Sequence, residues 1–139
     1  MKKLILIVAI IFGRTLTTNA QEKTYNLTIN ITGLSSNKGN VLVALYDKKE
    51  AFLKKSFKGG IVKIIDKQTT YIFKDIPKGE YAVSFFHDEN NNNKMDTNFI
   101  GIPKEDYGFS NNTKGFIRPP KYNDAKFQLT ENKTINLNI

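Results

Sequence analysis

Strict alternation of apolar and polar residues is the feature that most narrows what this chain can fold into. Tyr25, Leu27, Ile29 and Ile31 alternate with Asn26, Thr28 and Asn30. That is the period of a strand with one face in a core and the other in water. Tyr81, Val83 and Phe85 alternate in the same way with Ala82, Ser84 and Phe86. Near the end, Ala125, Phe127 and Leu129 repeat the pattern, Glu131-Asn132 can turn, and Ile135, Leu137 and Ile139 repeat it again. The run from Val41 to Tyr46 is apolar on both faces, as a central strand is. Gly60 to Ile65 and Thr69 to Phe73 are shorter strands, joined by Asp66-Lys67-Gln68 as a hairpin connection. Only Lys49 to Phe57 has helical spacing, with Ala51, Phe52 and Phe57 placed to pack on a sheet edge. Seven strands separated by turn signals predict an all-β, two-sheet β-sandwich.

The start of the chain does not belong to that fold. Lys2 and Lys3 precede an apolar run from Leu4 to Gly13, and Thr18-Asn19-Ala20 ends in the small residue a signal peptidase prefers. Ten apolar residues are too few for a spanning helix, which needs about 20. Residues 1–20 therefore read as a signal peptide and 21–139 as one exported domain, periplasmic or extracellular, with no integral membrane segment. Loss of Lys2, Lys3 and Arg14 with the leader lowers the formal charge from +8 to +5. The lysines are dispersed, and no arginine-aromatic pattern of a nucleic-acid reader accompanies them. The chain has no cysteine, so neither disulfide bracing nor a lipid-anchored N-terminus is available.

Residues 88–124 interrupt the regular pattern. Unstructured connections longer than about 12 to 15 residues are uncommon inside compact domains unless they carry function or are disordered. Phe99, Tyr107, Phe109, Phe116 and Tyr122, with Ile100, Ile102 and Ile117, make this segment too apolar for a disordered linker. We read it as a long ordered loop cap on the sandwich, without a strand or helix of its own.

The cap opens on His87-Asp88-Glu89-Asn90-Asn91-Asn92-Asn93-Lys94-Met95-Asp96. Asp88, Asn90, Asn92 and Asp96 stand at the first, third, fifth and ninth places of a calcium loop, and Lys94 would offer its carbonyl at the seventh. Calcium is a hard cation that takes six to eight oxygens, so this donor set suits it better than zinc or copper. The sixth place holds Asn93 instead of Gly, and the twelfth holds Phe99 instead of a bidentate Glu. Glu105, Asp106 or water would have to complete the shell. Two assured carboxylates predict weak binding, about 10⁻⁴ to 10⁻³ M.

Catalysis has a thin basis. His87 is the only histidine, and alternation puts it on the face opposite Asp88, as a packed structural residue. Ser84 and Ser110 lack a glycine-flanked nucleophile turn. A hydrolase would have to use His87 with Asp88, Glu89 or Glu105. The favoured role is a binding or structural module for an envelope protein, peptide or carbohydrate; an assembly domain pairing through a sheet edge is the third reading.

Three runs taken together carry a family resemblance. They are Ile76 to Val83, then His87-Asp88-Glu89-Asn90 with Asn92 and Asp96, then Gly101 to Asn111. The chain resembles DUF2141, an uncharacterised bacterial domain family, across essentially all of residues 21–139. The resemblance implies exported single-domain proteins with a transthyretin-like or immunoglobulin-like β-sandwich and no assigned activity. Where that family usually has Gly, this chain has Asn93. One histidine and the ending Leu137-Asn138-Ile139 exclude the hydroxyisourate hydrolases of transthyretin-like topology.

Overall fold

The computed structural model describes residues 21–115 and 118–139. The expected leader lies outside these residues, as do Phe116 and Ile117 of the expected cap. The strands are β1 (Thr24–Thr32), β2 (Asn40–Tyr46), β3 (Lys58–Lys63), β4 (Gln68–Pro77), β5 (Gly79–Asp88), β6 (Tyr107–Phe109), β7 (Phe127–Leu129) and β8 (Lys133–Asn138). One sheet has the order β4-β1-β8, with β8 parallel to β1. The other has the order β3-β2-β5-β6, and β7 pairs with β5 at Gly79–Tyr81, next along the same edge as β6. The all-β sandwich expected from alternation is the observed architecture.

Alternation also chooses the core. Leu27, Ile29 and Ile31 of β1 face Val41, Val43 and Leu45 of β2 and Val83 and Phe85 of β5 in one buried cluster. Leu27, Ile29 and Ile31 are fully buried, and each contributes about 1.5–3 kcal/mol relative to exposure. The opposite face of β2 and β5 carries a second cluster, in which Tyr46 and Ala82 pack with Phe52, Phe109, Tyr122 and Ala125. Both faces of the five-stranded sheet are therefore apolar, as the run from Val41 to Tyr46 requires.

Three local expectations change. The helix expected over Lys49 to Phe57 is a single 3-10 turn, Lys49–Ala51. Leu53 then takes φ 58°, which a right-handed helix does not allow. Phe52 still packs inward, while Phe57 stays 40% exposed beside the Tyr81 ring. The β3–β4 connection is tighter than expected: Asp66 and Lys67, both at positive φ, form a two-residue turn closed by Ile65 and Gln68. The cap does contain regular structure, namely β6, a 3-10 turn at Ser110–Asn112 and α1 (Tyr122–Ala125). Elements of three or four residues are too short to show a period.

The turn after β6 fastens three parts of the fold. Buried Ser110 accepts the Val83 N–H at 2.9 Å and donates its hydroxyl to the Ala125 carbonyl. Asn111 donates its side-chain amide to the carbonyls of Asp124 and Lys126 at 3.0 and 2.9 Å. Asn112 receives the Asn138 N–H at 3.2 Å and donates to the Asn136 carbonyl at 3.3 Å, along the outer edge of β8.

Candidate functional site

The five residues selected by spacing lie on one loop that leaves the end of β5. Asp88 is the last residue of that strand and pairs across the sheet with Asn40. Gly39 holds it from behind: its φ is +69°, and any Cβ there would overlap the Asp88 carbonyl. Asp88 is fully buried. Its two carboxylate oxygens accept the N–H groups of Asn92 and Asn93 at 3.1 and 2.7 Å. The loop is thus wound around one fixed carboxylate.

Local conformation follows from the asparagines. Asn91 and Asn93 both adopt φ 60°, the left-handed region that Asn tolerates better than most residues. Asn93 thereby supplies, without glycine, the sharp turn that a calcium loop makes at its sixth place. Asn90 and Asn92 each fold their side-chain oxygen back onto the backbone, accepting the N–H of Asn92 at 3.0 Å and of Lys94 at 2.8 Å. Their amide nitrogens converge on Asp96, Asn90 at 2.6 Å from one carboxylate oxygen and Asn92 at 2.9 Å from the other. Asp88, Asn90, Asn92, Lys94 and Asp96 therefore form one hydrogen-bonded unit.

Glu105 closes it. The chain reverses between Thr97 and Pro103, with the Asn98 side chain accepting the N–H groups of Ile100 and Ile102. Lys104 then donates to the Asp96 carbonyl at 2.8 Å. This returns Glu105 to the loop, where its carboxylate accepts the N–H of Glu89 at 3.2 Å and of Asp96 at 2.9 Å. Phe99, at the twelfth place, points away and is 99% exposed. Among the described residues, no three His, Cys, Asp or Glu side chains gather as a metal-holding group. From Asp88 to Asp96 the four carboxamides of Asn90 to Asn93 outnumber the three carboxylates of Asp88, Glu89 and Asp96.

His87 lies on the inner face and is fully buried. Its Nε2 is 2.7 Å from the Lys38 carbonyl, so that nitrogen donates. Its Nδ1 has no hydrogen-bond partner among the described residues and lies 3.8 Å from both Glu89 and Asp106 carboxylates. Ser35 ties those two acids together, its hydroxyl donating to Glu89 at 2.8 Å and its backbone N–H to Asp106 at 2.9 Å. Spacing did not point to Ser35, because it approaches from the other end of the chain with no motif around it. The imidazole presents no nitrogen to solvent, which is what a general base must do.

Fold and loop together define an all-β sandwich protein with an asparagine-wound acidic loop beside an apolar sheet face. The chain belongs to the family of uncharacterised proteins conserved in bacteria (DUF2141), whose model matches residues 29–136. No curated protein and no solved structure matches it. Among the described residues, no helix is long and apolar enough to cross a membrane.

Proposed function

We propose that this chain is an exported bacterial binding module whose long loop is organised by calcium. The carrying observation is the convergence on Asp96 of Asn90 and Asn92, around an Asp88 that is fully buried and paired with no cationic side chain among the described residues. A buried carboxylate is costly unless hydrogen bonds or a cation compensate it. The Asn90 and Asn92 side-chain oxygens each accept one backbone N–H and keep a second lone pair, which a calcium ion held beside Asp96 would take. Glu105 would complete the shell from outside the loop, in the role of the missing twelfth residue. Export rests on the Lys2-Lys3 start, the short apolar run and Ala20.

The bound ion would hold residues 94–105 in shape and so fix the surface that meets a partner, whether an envelope protein, a peptide or a carbohydrate. Calorimetric titration of calcium into the purified protein tests the ion. Heat of binding in the millimolar range, lost in both Asp88→Ala and Asp96→Ala with circular dichroism unchanged, is the expected result. A flat wild-type trace at 10 mM calcium overturns it.

A further inference from the structure

The second apolar cluster covers only part of the outer face of the five-stranded sheet. Beyond it the same face forms the floor of an open groove of about 950 Å³, built by Leu42, Ala44 and Phe86, with Ile100 and Ile102 on one wall. Both isoleucines are more than half exposed. A volume of this size suits a small-molecule ligand, and the lining is mostly apolar. The one charged residue that lines it, among the described residues, is Arg118; no carboxylate does. Exposed Lys54 and Lys55 follow Leu53, which lines the far side.

We propose that this groove binds a fatty acid, with the acyl chain lying on Leu42, Ala44 and Phe86 and the carboxylate paired with Arg118. The observations decide among occupants. A peptide or a sugar brings polar groups along its whole length, each needing a partner once dehydrated. Beyond Arg118 the described side chains of the lining answer with only the hydroxyls of Tyr46, Ser56, Ser84 and Tyr107, of which Tyr46 and Ser84 are already paired with each other at 3.2 Å. An acyl chain needs no such partners and gains from every buried methylene. A single anionic head matches a groove with a single cationic residue. This inference rests on the reading of the protein as a binding module and gives that module its ligand class. It does not require the ion.

Displacement of a fluorescent anionic naphthalene probe by decanoate and dodecanoate, in buffer containing a chelator, tests the groove separately from calcium. Dodecanoate is expected to compete about fifteenfold better than decanoate, from two further buried methylenes. Ile102→Glu should weaken dodecanoate at least tenfold, and Arg118→Gln should weaken it about tenfold while leaving an uncharged dodecanoyl ester unchanged. Phe99→Glu, at a fully exposed position that does not line the groove, should bind as wild type. Equal competition by both chain lengths, or loss in Phe99→Glu alone, overturns the proposal. So does a ligand-free dimer, seen by sedimentation, that Ile102→Glu dissociates, because a second copy would then fill the groove. Failure here with intact calcium heat removes the ligand and leaves the ion; the reverse result removes the ion alone.

Discussion

Asp88→Asn separates what an ion contributes from what hydrogen bonds contribute. In chelator the variant keeps one of two oxygen acceptors, and the Asn93 N–H that was held at 2.7 Å loses its partner. That loss costs about 1–2 kcal/mol. Removing a carboxylate from a fully buried position with no cationic partner returns a similar amount. The net change in chelator should stay within about 1 kcal/mol. In 10 mM calcium, a dissociation constant of about 10⁻⁴ to 10⁻³ M stabilises the wild type by about 1.4–2.7 kcal/mol. At about 4 °C per kcal/mol for a domain of this size, Tm rises by roughly 6–11 °C. The variant should show almost none of that rise. Thermal melts of both proteins in chelator and in calcium, followed by circular dichroism, give the four values required. Equal calcium shifts in both proteins, or none in either, would refute the assignment of Asp88.

Further expectations concern the frame around the loop. Gly39→Ala places a methyl group against the Asp88 carbonyl at a positive φ and should destabilise by more than about 2 kcal/mol, read from the urea midpoint. Ser110→Ala leaves the Val83 N–H and the Ala125 carbonyl unpaired in the interior and should cost about 1–3 kcal/mol in the same assay. Burial holds the Tyr81 phenol above its ordinary range, with Asp47 and Glu22 adding to it; Tyr122 is raised by burial and then chiefly by Glu80. A raised folded value means the folded state keeps the proton longer. Stability from both phenols is then complete below about pH 10 and falls as pH climbs through the folded values. The double replacement Tyr81→Phe with Tyr122→Phe should flatten that alkaline decline, and an unchanged slope would contradict it.

How much of this was legible depended on whether a residue belonged to a repeating pattern. Leu27, Ile29 and Ile31 announce β1 because nine residues in a strand give alternation room to register. β6 and α1, at three and four residues, give none, and their places are fixed by Phe109 and Tyr122 packing onto Ala82. That Asp88, Asn90, Asn92, Lys94 and Asp96 would lie together was legible from spacing, since they hydrogen-bond within a single turn of chain. That Glu105 rather than Asp106 would bond the loop backbone was not legible, because its position depends on the reversal from Thr97 to Pro103. The apolar outer face was visible in the run from Val41 to Tyr46. That Phe109 would cover part of it and leave Leu42 and Phe86 as a groove floor was not, since it turns on which cap residues fold back.

The Asn112 carboxamide has a consequence for life at high concentration. A strand border with free amides and carbonyls is a template on which another chain can grow. By taking one donor and one acceptor of β8 for itself, this side chain interrupts the template over the last residues of the strand, and a stranger would have to dislodge it before zippering on. Shortening it to alanine should leave the monomer folded and make it newly prone to clump.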